Sequence, residues 1–428
     1  MKIFLDTIGC RLNQAEIESL ARQFRKAGHE IVPSPKDADL AVVNTCSVTS
    51  GAASDSRAAI RRARRLGAKE VVVTGCWSTL EPGKAAELPG VRKVIPNLQK
   101  DLLAANLLGV PQAFFDSDPL ARQPIPGMHA RTRAFIKVQD GCDNACTFCI
   151  TTIARGASRS RQLAEILMDI RSALDGGTQE IVLTGVHLGS WGLDLATPRH
   201  LADLISGILG KTSVARLRLS SLEPWDLDAD FFSLWQDRRL CRHLHLPLQS
   251  GSETVLKCMV RKTTPNSFAE LVQAARAAIP EVAITTDVIV GFPGETEAEF
   301  LETLEFTKSM NFAGGHVFTY SARPGTPAAR MRAQVRYELR KERNSALRVV
   351  FEESAKSYRS GFIGQTLSVL WESKNQLKDE GWLLEGLTDN YLRVQAIAPE
   401  PRWNHFDTVR LTAETTDGLK GILCSKNA

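Results

Sequence analysis

Asp140–Thr151 reads DGCDNACTFCIT and places thiols at Cys142, Cys146 and Cys149. The spacing C-x3-C-x2-C gathers three metal-binding side chains within eight residues and supplies no fourth nearby. Structural zinc takes four ligands, usually paired as C-x2-C, so the triplet is one short. On a four-iron cubane, three thiolates hold three irons and leave the fourth open to a small chelator, whereas full thiolate ligation suits electron transfer. A zinc knuckle or a chance cluster is the competing reading. Upstream lies the strand-like AFIKVQD. Downstream, EIVLTGVH, RLRLSSLE, HLHLPLQ, AITTDVIVGFP and GGHVFTYSA recur with helical stretches between them, such as QLAEILMDIRSALDGG and PNSFAELVQAARAAI. Six β/α units predict a partial barrel, (β/α)6, with its chemistry at the carboxyl ends of the strands, and Cys142 sits just past the first of them.

The N-terminal third has the same α/β rhythm. MKIFLDTIG, ADLAVVNT and KEVVVTG read as buried parallel strands, separated by the helical NQAEIESLARQFRKAG and SDSRAAIRRARRLG, which predicts a doubly wound parallel sheet. Cys10, Cys46 and Cys76 each follow one of these strands. The carboxyl ends of parallel strands share one edge, where open α/β sheets bind ligands, so three thiols distant in sequence are expected to converge. Three unrelated buried cysteines acting as small hydrophobes is the plainer alternative.

DSDPLARQPIPG (Asp116–Gly127) reads as a linker. From about Gly361, the short strands QTLSVLWES, GWLLEGLTDNYLRVQA and DTVRLTAETTDGLKGIL predict a small antiparallel β barrel. The expected domains are therefore 1–118, 128–355 and 361–428. A chain of 428 residues, 43% hydrophobic and 24% charged, is long enough for several cores. The sequence meets Asp6 before any signal-like apolar region, and no apolar run approaches the roughly 20 residues that span a bilayer. The expectation is a cytoplasmic protein without a membrane partner. In a reducing compartment, nine cysteines point to metal or redox chemistry rather than a disulfide framework. A net charge of +5 permits an anionic partner without requiring one.

With Phe148 before its last cysteine, the triplet resembles the signature of the radical S-adenosyl-L-methionine superfamily. The resemblance implies a [4Fe-4S] cluster on Cys142, Cys146 and Cys149. The methionyl group of S-adenosyl-L-methionine would chelate its open iron, and one electron would cleave the sulfonium to a deoxyadenosyl radical. GGTQEIVLTG (Gly176–Gly185) resembles the superfamily's glycine-and-glutamate element, which implies Glu180 at the amino end of the cofactor. Ser221 and Glu223 in LSSLEP, Gln249 in LPLQSGS and Asp287 in TDVIVGFPGET occupy the mouths of later strands and are further candidates for binding the cofactor. Arg261 in MVRKTT is a candidate partner for its carboxylate, because a guanidinium grips a carboxylate bidentately. A surface position is the alternative for Glu180 and for Arg261.

Two three-cysteine sets followed by a β module resemble the methylthiotransferases over essentially the whole chain, the C-terminal module being TRAM-like. That family implies a second [4Fe-4S] cluster on Cys10, Cys46 and Cys76. The cluster's open iron would carry a sulfide methylated by one S-adenosyl-L-methionine, while a second molecule supplies the radical. TIGCRLNQAE, NTCSVTSGAASDSRAAIRRA and HVFTYSARPGTPAARM look most like the branch acting on N6-threonylcarbamoyladenosine beside the tRNA anticodon. The alternatives are isopentenyladenosine in tRNA or an aspartate of a ribosomal protein, the latter branch usually carrying Pro-Lys where this chain has Arg11-Leu12. A non-catalytic iron–sulfur sensor is an alternative of another class. The resemblance also implies an electron donor such as flavodoxin or ferredoxin, and a monomer is expected.

Arg57, Arg61 and Arg65 recur at i, i+4 and i+8 beside Arg62 and Arg64, a basic helix face next to Cys46. Together with Asn13 and Arg155 they are the candidate substrate contacts, and Arg159 and Arg161 extend the basic group around Arg155. Arg323–Arg348 adds eight basic residues against two acidic ones. Residues 361–428 hold seven Lys/Arg against nine Asp/Glu, so stacking by Trp371, Trp382 and Tyr391 is the expected RNA contact there, or else a role within the fold. Cys241 and Cys424 are expected to pack in cores, Cys258 is left open, and His243 and His245 alternate on a strand near the barrel.

Overall fold

The N-terminal sheet is built from β1 (Lys2–Thr7), β2 (Glu30–Ile31), β3 (Leu40–Thr45), β4 (Glu70–Gly75) and β5 (Val91–Ile95), all parallel, in the order β2-β1-β3-β4-β5. In this computed structural model, which describes residues 1–116, 120–126, 132–377 and 381–424, it is part of the first of two compact units. That unit is Met1–Asn144 with Cys149–Thr212, and the second is Ala145–Phe148 with Ser213–Ala428. The central strand β3, LAVVNT, is buried at every position because both faces of the sheet are covered. One face packs Ile17, Leu20 and Phe24 of the helix Arg11–Lys26, and the other packs Ala59, Ile60 and Ala63 of the helix Ser50–Arg65 together with Trp77. Thr49 caps the second helix by accepting from the Ala52 amide at 3.0 Å. β2 and β5 were not anticipated: β2 has only two residues, and the exposed Arg92 and Lys93 interrupt the apolar run of β5.

β6 (Arg133–Lys137) carries the chain towards the cysteine triplet. A two-residue antiparallel pair, β7 (Gln139–Asp140) with β8 (Arg159–Ser160), closes the loop that bears it. β9 (Glu180–Thr184) pairs in parallel with β6, from Arg133↔Glu180 to Lys137↔Thr184. Both belong to the first unit for a visible reason. Ala15 of the first helix packs on Phe135 and Val182, and ion pairs Arg22–Asp169 (2.7 Å) and Arg122–Glu18 (2.9 Å) fasten the same interface. The compact units thus cut across the expected division at 118 and 128, positions that lie outside the described residues, as do 117–119 and 127 of the expected linker.

The second unit holds β10 (Arg216–Leu219), β11 (His243–His245), β12 (Ala283–Val290) and β13 (Gly314–Thr319), the last three forming a parallel sheet. All six expected strands of the central region are therefore present. On β12, Ile284, Thr286, Val288 and Val290 are buried, while Thr285, Asp287 and Ile289 on the opposite face are half-buried. After the helix Tyr337–Ser360, five strands close a small barrel: β14 (Thr366–Leu377), β15 (Gly381–Thr388), β16 (Arg393–Ala398), β17 (Phe406–Glu414) and β18 (Leu419–Leu423). The barrel departs from an all-antiparallel one at a single joint. Its order β14-β15-β16-β18-β17 sets β16 beside β18, two strands on in the chain, and that pair runs parallel.

The module is fastened to the strands of its own unit. Arg216 donates to the Leu387 carbonyl and Arg218 to that of Asp389, both at 2.9 Å, and Arg242 pairs with the Asp389 carboxylate at 2.6 Å. Tyr391 stacks on His243 with ring centroids 4.3 Å apart, and Trp371 is fully buried in the barrel core, so neither ring is available to a nucleobase. Trp382, half-buried under the Lys374 ammonium at 5.6 Å, keeps that possibility. Lys378, Asp379, Glu380 and Lys426 lie outside the described residues. Among the described residues no helix is long and apolar enough to cross a membrane.

Gly75 joins β4 to Cys76 at φ +102°, and a Cβ there would lie 2.2 Å from the Thr45 carbonyl oxygen. Gly75→Ala is expected to cost at least ~1 kcal/mol of stability through backbone strain alone, read as a lowered urea midpoint.

Candidate active site

Parallel register brings the N-terminal cysteines to one edge. Thr7 is aligned with Asn44, Asn44 with Thr74 and Thr45 with Gly75, so Cys10, Cys46 and Cys76 leave adjacent strands at the same level. Asn13, fully buried, ties two of these exits together: its Nδ2 donates to the Ile8 carbonyl at 2.8 Å and to that of Thr45 at 3.0 Å. Asn97 holds the third, donating to Cys76 Sγ at 3.6 Å and to the Ala154 carbonyl at 2.8 Å. A Cβ on Gly9 would lie 2.4 Å from Cys46 Sγ, which shows how closely the Cys10 loop approaches that thiol. Burial pushes the Cys46 thiol up to about 11, so loading a metal there releases a proton.

Behind these thiols lies a network of buried charge. Arg155, 2% exposed, donates to Glu16 Oε1 and Asp140 Oδ1, both at 2.9 Å, and to Asn13 Oδ1 at 2.7 Å. Lys100, also buried, reaches Glu16 Oε2 at 2.7 Å and Asn44 Oδ1 at 3.0 Å. Burial alone would raise the Glu16 carboxyl, but the charges of Arg155, Lys100 and Lys137 hold it well below the usual range. Asp140 precedes the triplet, and Arg155 ends the short helix Thr151–Arg155 that follows it.

The triplet loop is held from its own side by Gln139. Its Nε2 donates to the carbonyls of Asp140 and Gly141 at 3.0 and 2.7 Å, and its Oε1 accepts from the amides of Val186 and His187, both at 2.9 Å. Cys142 Sγ accepts from the Asn144 amide and Cys149 Sγ from the Thr151 amide, each at 3.4 Å. Cys142, Cys146 and Cys149 are all half-exposed. In the second unit, Arg261 lies 3.8 Å from Cys146 Sγ, grips Glu223 bidentately (2.6 and 3.2 Å), donates to the Pro247 carbonyl and stacks 4.4 Å above Trp225. Phe148 packs against the core of Val255, Met259, Phe292 and Tyr320. Asp287 accepts from His316 Nδ1 at 3.1 Å and lies 3.2 Å from His245 Nε2, while Thr285 Oγ1 bonds both His243 and His245. Gln249 adopts φ +71°, its amide bound to the Asp287 carbonyl, and Ser221 is exposed.

Several expectations are corrected. Glu180 opens β9 and pairs in register with Arg133, four residues before the carboxyl end where the cofactor was expected, and it is fully buried. Arg155 and Asn13, read as substrate contacts, are interior, their polar atoms used on the thiol-bearing loops. Arg161 is taken up by Asp169 at 2.8 Å, and Arg159 donates to the carbonyls of Arg155 and Ala157. Within Arg323–Arg348, Arg343 is buried against Glu295 at 2.9 Å and Arg340 bonds the Tyr320 carbonyl, whereas Arg330, Arg332, Arg336, Lys341 and Arg348 are exposed. Arg61 and Arg65 are exposed, and Arg57 lies half-buried 5.7 Å from the Trp77 ring. Cys241 is buried, but Cys424 is exposed, as is Cys258.

Among the described residues no three His, Cys, Asp or Glu side chains are gathered tightly enough for a single metal ion. A cubane does not ask for that convergence, since each thiolate takes a different iron. Two thiolate-only triplets, one beside a buried guanidinium, suit iron–sulfur chemistry as donor sets. The "Radical SAM superfamily" model matches residues 136–307, and "Uncharacterized protein family UPF0004" matches residues 2–95. The Threonylcarbamoyladenosine tRNA methylthiotransferase MtaB of Bacillus subtilis (strain 168) is 38% identical over 408 residues, 91% of this chain and 88% of that protein.

The chain belongs to the radical SAM methylthiotransferase family.

Its similarity extends across branches of that family. The tRNA-2-methylthio-N(6)-dimethylallyladenosine synthase of Geobacillus thermodenitrificans (strain NG80-2) is 31% identical over 448 residues, 99% of this chain and 84% of that protein. Among solved structures, the radical S-adenosylmethionine methyltransferase TsrM from Kitasatospora setae, with cobalamin and a [4Fe-4S] cluster bound, superposes with a TM-score of 0.58 at 17% identity, covering 77% of each chain, a likeness of fold alone.

Sequence reading of this methylthiotransferase missed Glu16, Asn44, Asn97, Lys100 and Gln139. One signal was present: Asn13 and Glu16 stand one turn apart among Leu12, Ala15, Ile17 and Leu20, polar residues on an otherwise apolar helix face. Lys100→Met strips Glu16 of a buried partner. Breaking such a pair costs about 3–5 kcal/mol, and the double variant Lys100→Met/Glu16→Gln is expected to lose less than the single one in urea denaturation.

Proposed function

We propose that this enzyme transfers a methylthio group to an adenine carbon of N6-threonylcarbamoyladenosine beside the tRNA anticodon. One S-adenosyl-L-methionine serves as methyl donor and a second as radical source. The observation that carries the reading is the pair of cysteine triplets, each one ligand short, whose supporting residues meet at Ala154–Arg155. It is supported by relatives named for threonylcarbamoyladenosine methylthiotransfer in Bacillus subtilis, Thermotoga maritima and Aquifex aeolicus, at 38%, 35% and 33% identity. Dimethylallyladenosine in tRNA is the second reading, supported by the 31% relatives.

In this scheme Cys142, Cys146 and Cys149 hold one [4Fe-4S] cluster and Cys10, Cys46 and Cys76 the other. When bound, the clusters supply reductive cleavage of the sulfonium and a carrier for the sulfur. Arg261, kept beside Cys146 by Glu223, offers a fixed cation to the cofactor's carboxylate. Phe148, Ser221, Gln249 and Asp287 complete the cofactor side. Glu180 is left out because of its place at the wrong end of β9. Arg57, Arg61 and Arg65 contact phosphate, joined by the exposed cations of Arg323–Arg348. A flavodoxin or ferredoxin supplies electrons, and the enzyme works as a cytoplasmic monomer.

Nucleoside mass spectrometry of tRNA from a deletion strain tests the substrate: the methylthio form of threonylcarbamoyladenosine is expected to vanish, and its persistence refutes the assignment. Anaerobically reconstituted protein is expected to carry about eight irons, and alanine at Cys142, Cys146 and Cys149 to remove about half. Charge reversal at Arg57, Arg61 and Arg65 is expected to weaken tRNA binding and flatten the salt dependence, each lost phosphate contact removing ~0.7–0.9 from the log–log slope.

A further inference from the structure

Arg155 occupies a position that neither radical generation nor RNA binding explains. It belongs to a five-residue helix only two residues beyond Cys149, yet its guanidinium turns into the first unit and bonds Glu16, Asp140 and Asn13. Through Asn13 it is one hydrogen bond from the carbonyls of Ile8 and Thr45, which lead into Cys10 and Cys46. Through its neighbour Ala154 it is one hydrogen bond from Asn97, which touches Cys76 Sγ. All three strand exits are thus referred to one short helix.

The charge around it is unbalanced. Arg155, Lys100 and Lys137 are nearly buried cations, and they face two similarly enclosed carboxylates, Glu16 and Asp140. The third carboxylate, Asp101, is 73% exposed and pairs with Lys137 from the surface. A cation buried in low dielectric beside an iron–sulfur cluster favours its more negative, reduced state.

We infer that Arg155 is a positioning and charge-setting residue for the N-terminal cysteine set: it fixes the three thiol-bearing loops against the triplet loop and raises the reduction potential of the cluster they bind. The inference rests on the second cluster of the proposed function. It extends that reading by assigning the cluster's potential to a residue contributed by the central region, just past the other triplet.

The test uses the full chain with Cys142, Cys146 and Cys149 replaced by alanine, reconstituted anaerobically so that a single cluster reports, and followed by a redox titration read by electron paramagnetic resonance. Loss of all iron from this parent overturns the two-cluster reading itself, and the inference with it. With iron bound, Arg155→Gln is expected to lower the midpoint potential, Arg155→Lys to keep it near the parent, and Glu16→Gln to raise it. A purely structural role would not give opposite signs for Arg155→Gln and Glu16→Gln. Should Arg155→Gln fail to load iron, Glu16→Gln still decides: a midpoint unchanged from the parent overturns the inference, and a raised one supports it.

Discussion

Glu16 is an ionised carboxylate 5% exposed, and the arrangement of the first unit follows from the need to compensate it. Taking a charge out of water costs several kcal/mol even after relaxation, so it persists only with partners on every side. Those partners come from four separate segments: Lys100 from the short helix after β5, Asn44 from β3, Arg155 from beyond the triplet and Lys137, more distantly at 3.9 Å, from β6. Replacing such a network with apolar side chains often leaves a protein no less stable. Its visible effect here is geometric: it ties β3, the segment after β5, β6 and the helix after the triplet to one carboxylate. The strand ends that carry Cys10, Cys46 and Cys76 are located by the same contacts that locate Asp140 and the helix after Cys149.

Much of this was legible in the sequence, and where it was not the reasons are physical. Strands β3, β4, β6 and β9 announced themselves because runs buried on both faces are continuously apolar. The convergence of the N-terminal thiols followed from strand ends sharing an edge, which needs only topology. Glu180 was misplaced because its motif was anchored on the glycines before β9, whereas the cofactor end of a parallel strand is its carboxyl end, here Thr184 and Gly185. Arginines were the hardest to read. Arg61 and Arg155 look alike as letters, and only packing shows that one faces water while the other lies between Glu16 and Asp140. The same holds in the helix Tyr337–Ser360, where Arg343 is interior and Lys341, two residues earlier, is not.

The C-terminal barrel also acquires a physical reading. Its acidic balance suits a module that presents Asp389 and several carbonyls to Arg216, Arg218 and Arg242. Tyr391, an aromatic candidate for RNA, serves that junction by stacking on His243, while Trp371 fills the core. Composition alone does not distinguish a ring offered to a base from one committed to an internal seam.

The distribution of partners around Glu16 has a consequence for how the chain is made. Lys100 follows it by 84 positions and Arg155 by 139. During synthesis Asn44, Lys100 and Lys137 all precede the arginine, which is translated only after the triplet cysteines. The contact between Arg155 and Glu16, and the restraint it places through Asn13 on the Cys10 and Cys46 loops, therefore forms only once the cysteines of both sets have been translated.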